Sequence, residues 1–293
     1  MTIRKRIKKW LYGHCPGLAG AFPYFGTKVY FPKDSLLFRA ACEQGIWEPA
    51  ITNLLCALVR PGTVYFDVGA NIGLMAIPVL RACPTCTVAS LEPSPATLAS
   101  LRQTAARSEY RDRWRIIGKA ASSMPGTNGF YVAADGLGAY DGLCNTGRVG
   151  PMSRIDVPVT TIDCEWQDLG RPEVSLIKID VEGAEIQVLE GALDCIEQSR
   201  PYLIVELNNA NLAAHQHEPE HLLEMAAEVG YDVCALPSTA AVISSAMLRV
   251  QMASSENFLL APKQQVDRSP RQRQERGPGY GTVELARSQS DQR

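Results

Sequence analysis

From residue 63 onward, short apolar runs of strand length alternate with stretches of helical spacing, and that alternation leaves few folds open. Thr63-Val64-Tyr65-Phe66, Thr87-Val88-Ala89-Ser90-Leu91, Arg115-Ile116-Ile117, Val174 to Ile179 and Tyr202-Leu203-Ile204-Val205 read as buried strands. A helix follows the first strand, and Pro95 opens a second at a position that tolerates its missing N–H. Further helices are expected over residues 184–196 and 218–229, a strand over 231–235, and a closing strand at Asn257-Phe258-Leu259-Leu260. Strands of continuous apolar character alternating with helices imply parallel pairing, right-handed crossovers and helices on both faces. The expected class is α/β, with a doubly wound, mostly parallel sheet.

The boundaries follow from composition. Residues 1–60 read as an N-terminal extension packed on the main domain, with a strand-like Lys28-Val29-Tyr30-Phe31 and a helix over 50–59 stopped by Pro61-Gly62. Residues 61–262 form the main domain. Within it, 122–156 hold seven glycines and read as an irregular insertion on the acceptor side, and Val157 to Ile162 reads as extended. Residues 263–293, rich in Gln, Arg, Ser, Gly and Pro, read as a disordered tail.

Charge narrows the partners. The chain carries a net charge of −2, yet residues 1–10 hold +5 and residues 262–293 hold +3, so the body stands at about −10. Such a body repels a phosphate backbone, and nucleic acid is not expected as a substrate. The basic N-terminus suits at most a weak peripheral contact with an anionic membrane. No run of 18 apolar residues and no signal-peptide core are found, so a cytoplasmic location is expected. The nine cysteines read as reduced thiols, and Cys83 and Cys86 lack a second pair for zinc. His215, His217 and His221 miss the i, i+4 spacing of a helical metal pair, and no metal site is assigned. Trp10 and Trp47 are read as exposed and as potential interface residues.

The loop Asp67-Val68-Gly69-Ala70-Asn71-Ile72-Gly73 lies directly between a strand and a helix. Glycines there let the backbone turn tightly and approach a ligand at the carboxyl ends of the strands. Asp67 occupies a position where a carboxylate suits an ammonium better than a pyrophosphate. Glu92 ends the second strand, 19 residues beyond Gly73, where an acid accepts both hydroxyls of a ribose. S-adenosylmethionine carries both features. The predicted cofactor-binding residues are Asp67, Gly69, Asn71, Gly73, Glu92 and Asp163.

The sequence resembles the FkbM family of methyltransferases over roughly residues 45–262. The matching stretches are Gly45-Ile46-Trp47-Glu48-Pro49, the Asp67–Gly73 loop, Glu92-Pro93-Ser94-Pro95, Thr160-Thr161-Ile162-Asp163, Lys178-Ile179-Asp180-Val181-Glu182-Gly183-Ala184-Glu185 and Asn257-Phe258-Leu259-Leu260. The resemblance implies a Rossmann-like class I methyltransferase fold, with a seven-stranded sheet whose last strand is antiparallel. It also implies O-methylation of a hydroxyl on a sugar, an oligosaccharide (glycolipid or lipo-oligosaccharide) or a polyketide. An NAD-dependent oxidoreductase and a non-catalytic protein of the same fold are the rival readings. Against the first stand Asp67 and Asn71. Methyl transfer to an alcohol needs a route for the hydroxyl proton. Asp180, at the carboxyl end of the fourth main strand, is the first candidate for that role, with Glu182 and Glu206 beside it.

Overall fold

The computed structural model describes residues 20–33, 35–133, 138–147 and 150–263. The expectations placed on the basic N-terminus, on Trp10 and on the tail fall outside the described residues.

Strands β1 (Gly20–Tyr24) and β2 (Thr27–Phe31) form an antiparallel hairpin, followed by helices α1 (Leu36–Gln44) and α2 (Pro49–Leu58). The main sheet then begins with β3 (Val64–Val68), α3 (Ala76–Ala82), β4 (Thr87–Leu91), α4 (Pro95–Arg107) and β5 (Trp114–Ile117). After β6 (Ala120–Ala121), β7 (Gly126–Ala133) and β8 (Met152–Thr160) comes α5 (Ile162–Asp168). The chain returns to the sheet through β9 (Val174–Ile179), α6 (Glu185–Glu190), α7 (Leu193–Ser199) and β10 (Tyr202–Glu206). It ends with α8 (Asn209–Ala214), α9 (Glu220–Glu228), β11 (Tyr231–Ala235), β12 (Ala240–Ala241), α10 (Ser245–Met252) and β13 (Asn257–Pro262).

The main sheet has eight strands in the order β12-β11-β13-β10-β9-β3-β4-β5. Seven were expected; the eighth is β12, a two-residue edge strand pairing antiparallel with β11. Strand β13 runs antiparallel to both neighbours and is wedged between β10 and β11. Both faces of the sheet are covered, which explains the continuous apolar strands. In β3, Phe66 and Val68 pack into one core while Tyr65 packs into the other. The alternation of side chains along a strand therefore sorts residues cleanly between two faces.

The second face is where residues 20–60 pack. Phe22, Phe31, Phe38 and Leu55 share a core with Ile72, Leu74 and Leu80, and the Phe31 and Phe38 rings stack with centroids 3.8 Å apart. The Tyr30 backbone N–H donates to Thr104 Oγ1 of α4 at 2.9 Å.

Three local expectations change. The segment 122–156 contains β7 and the first half of β8, which pair as a regular hairpin in a separate sheet ordered β6-β8-β7. Its glycines and exposed side chains mask the strand period, since β7 buries only Gly129 and Phe130. The extended stretch expected to reach Ile162 stops one residue sooner: Thr161, still extended, is the cap of α5, where its hydroxyl accepts from the Cys164 N–H at 3.0 Å. The single helix expected over 184–196 is two short ones, separated at Gly191-Ala192.

Gly73 has a packing role. Its backbone is left-handed at φ 86°, and a Cβ there would lie 2.6 Å from the Trp114 ring. Replacing Gly73 by Ala adds overpacking to a disfavoured backbone. The expected loss is about 2–4 kcal/mol in urea unfolding.

Candidate functional site

A cavity of about 530 Å³ opens at the carboxyl ends of β3, β4, β9 and β10. Its floor is made by the strand ends, through Asp67, Leu91, Glu92, Asp180 and Glu206. One wall comes from residues 36–48 and another from Gly138 to Asp141. This is the crevice in which an open α/β sheet binds ligands.

In one half of the cavity the loop after β3 and the end of β4 hold two buried carboxyls. Asp67 is 1% exposed; Tyr65, two residues earlier on the same face, donates its hydroxyl to Asp67 Oδ1 at 3.0 Å. Asp67 Oδ2 is buried and has no partner among the described residues. Burial pushes the Asp67 carboxyl up to about 6, against the opposing pull of Lys178 and of the Tyr65 hydrogen bond. Glu92 accepts from the Asn71 N–H at 2.9 Å and from the Ser94 N–H at 2.8 Å, and burial pushes it up to about 8. Gly69 is left-handed at φ 80°, and a side chain there would run into the Asp180 carbonyl, so only glycine lets the ends of β3 and β9 converge.

The other half centres on Lys178. It is 3% exposed and sits opposite Asp67 in the β3–β9 register, so both side chains leave the sheet on the same face. Its ammonium donates to Asp180 Oδ2 at 2.6 Å. Asp180 and Glu206 follow the paired residues Ile179 and Val205 at the ends of adjacent parallel strands, and burial together with the Asp180 charge drives Glu206 well above the usual carboxylate range. Glu48 joins from the start of α2. Its backbone is left-handed at φ 37°, and its carboxyl, raised by burial, lies within the field of Lys178, Asp180 and Glu256. Glu182 lines the same half, and Asn211 of α8 donates to its Oε2 at 2.7 Å.

The structure thus brings together Asp67, Gly69, Asn71, Glu92, Asp180, Glu182 and Glu206 around one cavity. Two predicted residues stand elsewhere. Gly73 is packed on Trp114, and Asp163 does not line the cavity. Asp163 accepts from the N–H groups of Asp194 at 3.1 Å and Cys195 at 2.8 Å, and so caps the start of α7. Glu185 is also structural: its Oε1 accepts from the Val181 and Gly183 N–H groups and fixes the turn that presents Asp180 and Glu182. Trp47 is half-buried and lines the cavity instead of standing exposed.

Sequence reading missed Tyr65, Glu48, Asn211 and Asp141. Asp141 accepts from the Ser94 hydroxyl at 2.6 Å and from the Ala133 N–H at 2.8 Å, and so fastens the wall after β7 to the end of β4. Only Glu48 carried a usable signal, as a carboxyl just before a helix-opening proline. Cys83 and Cys86 are buried, and no cluster of three or more His, Cys, Asp or Glu suited to a metal occurs among the described residues.

Comparison with known proteins supplies relatives. The family described as methyltransferase FkbM domain matches residues 67–233. The 31-O-demethyl-FK506 methyltransferase FkbM of Streptomyces tacrolimicus is 30% identical over 165 residues, covering 46% of this chain and 62% of that protein. The methyltransferase sdnD of Sordaria araneosa is 26% identical over 151 residues, covering 43% of this chain and 58% of that protein. The chain therefore spans about three fifths of the length of these curated relatives. Among solved structures, the methyltransferase FkbM of Methylobacillus flagellatus is 17% identical with a TM-score of 0.46, over 76% of this chain and 51% of that one.

The assignment of Asp163 has a direct check. Asp163→Ala frees two N–H groups at the start of α7 and is expected to lower stability by about 1–2 kcal/mol in urea unfolding. The cavity, which Asp163 does not touch, keeps its ligand affinity.

Proposed function

The chain belongs to the methyltransferase FkbM family, and from that premise we propose that it transfers the methyl group of S-adenosylmethionine to a hydroxyl oxygen of a sugar, oligosaccharide or polyketide acceptor. The observation that carries the reading is the division of one cavity between two sets of carboxyls. One set suits the cofactor, and the other suits the proton chemistry of an alcohol.

The cofactor half passes a chemical fit test on this chain's own atoms. Asp67 Oδ2 is buried and lacks a partner among the described residues, which an ammonium would supply. Glu92 has one N–H on each oxygen and lone pairs left over for ribose hydroxyls. Gly69 keeps the loop backbone open where a side chain would intrude. When bound, S-adenosylmethionine supplies an electrophilic methyl carbon on a sulfonium. Everything else falls to the protein.

A neutral alcohol is a weak nucleophile, and its proton has to leave as the new C–O bond forms. The Asp180 carboxyl, held by Lys178, and the Glu206 carboxyl at the end of the adjacent strand are the groups we assign to accept it. Glu182, steadied by Asn211, and the wall formed by Leu36, Leu37 and Trp47 would orient the acceptor and exclude water. Polyketide acceptors gain weight from the curated relative whose name specifies 31-O-demethyl-FK506. Sugar acceptors gain weight from the polar lining and Trp47.

Two measurements test the reading. In calorimetric titration with S-adenosylhomocysteine, the protein should bind and Asp67→Ala should weaken binding about 10-fold or more, with NAD⁺ inert as control. Asp180→Asn should lower kcat about 100-fold or more while S-adenosylhomocysteine affinity stays within about 3-fold. The acceptor panel for this assay contains 31-O-demethyl-FK506 and neutral methyl glycosides, with methyl-labelled cofactor and mass analysis of the product. If Asp180→Asn abolishes cofactor binding instead, Asp180 belongs to the cofactor half. Methylation of nitrogen or carbon instead of oxygen would refute the hydroxyl assignment.

A further inference from the structure

The Asp67 carboxyl takes its orientation from one buried side chain that does not itself line the cavity. Tyr65 lies two residues earlier on the same face of β3, and its ring is fully buried in the core shared with residues 20–60. Its hydroxyl donates to Asp67 Oδ1 at 3.0 Å. No other hydrogen bond reaches that carboxyl from the described residues, and Oδ2 is left buried without a partner among them. Lys178 stands beside Asp67 across the β3–β9 register, yet its ammonium is committed to Asp180 Oδ2 at 2.6 Å. No ion pair joins Lys178 to Asp67 among the described residues.

A tyrosine ring enclosed in a close-packed core cannot swing, so its hydroxyl is a fixed point that needs an acceptor. An aspartate side chain turns about two bonds, and one hydrogen bond to a fixed donor restrains both. With Oδ1 tied to Tyr65, Oδ2 is the oxygen that remains for a ligand. The same bond favours the ionised carboxyl, against the burial that pushes it up to about 6. The charged groups facing Asp67 are Lys178 and Asp180 from β9 and Glu92 from β4, with Cys56 of α2 near Tyr65. Among them and Tyr65, only Tyr65 donates a hydrogen bond to it.

We propose that Tyr65 is the positioning residue of the cofactor subsite: by holding Asp67 Oδ1 it leaves Oδ2 as the acceptor presented to the cofactor ammonium. The inference rests on the cofactor reading given above and names the residue that sets its selectivity for the amino-acid end. Tyr65 acts through Asp67 and not by contact with the ligand. A carboxylate held in this way is set before the ligand arrives, so binding freezes no further rotation of it. Tyr65→Phe keeps the ring in the core but leaves both Asp67 oxygens without a partner and free to turn.

The test compares two ligands on the full chain by calorimetric titration. S-adenosylhomocysteine carries the amino-acid end, and 5′-methylthioadenosine keeps the ribose but lacks it. At pH 7, Tyr65→Phe should weaken S-adenosylhomocysteine about 10-fold or more and leave 5′-methylthioadenosine within about 3-fold of the parent. The affinity of Tyr65→Phe for S-adenosylhomocysteine should also keep rising to a higher pH than the parent's. Loss of the hydroxyl raises the Asp67 carboxyl, and the ammonium binds it only when ionised. Equal weakening of both ligands, or an unmoved pH profile, would mark a packing role and overturn the proposal.

A second pair of variants decides the matter even if Tyr65→Phe does not fold. Asp67→Asn and Asp67→Ala both remove the charge, but Asp67→Asn keeps one oxygen. If Tyr65 orients the side chain, its hydroxyl takes that oxygen and turns the NH₂ toward the ammonium, donor against donor. Asp67→Asn should then bind S-adenosylhomocysteine no better than Asp67→Ala. Binding about 3-fold or more tighter in Asp67→Asn shows an amide free to offer its oxygen, and it defeats the positioning alone. Failure of the unaltered chain to bind S-adenosylhomocysteine defeats the cofactor reading and the positioning together.

Discussion

A lysine set near the end of a strand that is covered on both faces has to find negative charge, and the site is organised around that need. Lys178 occupies a position that its neighbours Ile177 and Ile179 give over to packing. An unpaired ammonium there would cost several kcal/mol, so the strand tolerates it only where carboxyls converge. Parallel register supplies Asp67 from β3, the next same-face residue of β9 supplies Asp180, and the end of β10 supplies Glu206. Each of these placements follows from strand geometry alone, because residues two apart share a face and paired residues on adjacent strands stand side by side.

The same geometry explains why residues 20–60 belong to the site as well as to the core. Tyr65, Asp67, Lys178 and Asp180 leave the sheet on the face that the β1–β2 hairpin, α1 and α2 cover. Aromatic packing of Phe22, Phe31 and Phe38 anchors that cover, and the Trp47 N–H donates to the Tyr24 hydroxyl at 3.3 Å. The link between α1 and α2 is thereby held over the strand ends. Glu48 accepts a left-handed backbone there and makes no side-chain cap for α2, although a helix start would reward one. Its carboxyl serves the cavity instead.

Much of this was legible in the sequence, and the parts that were not share a physical cause. The periods of β3, β4, β9 and β10 were clear because both faces are buried, and their ends located Asp67, Glu92, Asp180 and Glu206 without any structure. Strand β13 was recognised as a strand and its antiparallel direction was implied by the family resemblance, but its place between β10 and β11 depends on pairings that no local pattern encodes. The β7–β8 hairpin went unseen because glycines and exposed side chains erase a period that only backbone pairing maintains. Gly73 and Asp163 carried the right residue types for a ligand site. Their actual neighbours, Trp114 and the start of α7, lie about 30–40 residues away in sequence and are set by tertiary packing.

Those two misplacements separate residue type from residue address. Asp67 and Asp163 are both carboxylates ahead of or within a helix start, and both are surrounded by backbone N–H groups or hydroxyls. What distinguishes them is how completely their oxygens are satisfied. Asp163 has an N–H of α7 on each oxygen and lies away from the cavity. Asp67 is the more deeply buried of the two, yet one of its oxygens has no partner among the described residues. In a folded protein nearly every buried polar atom is paired, so an orphan at the mouth of a strand end marks the place where the fold leaves a bond for something else to make.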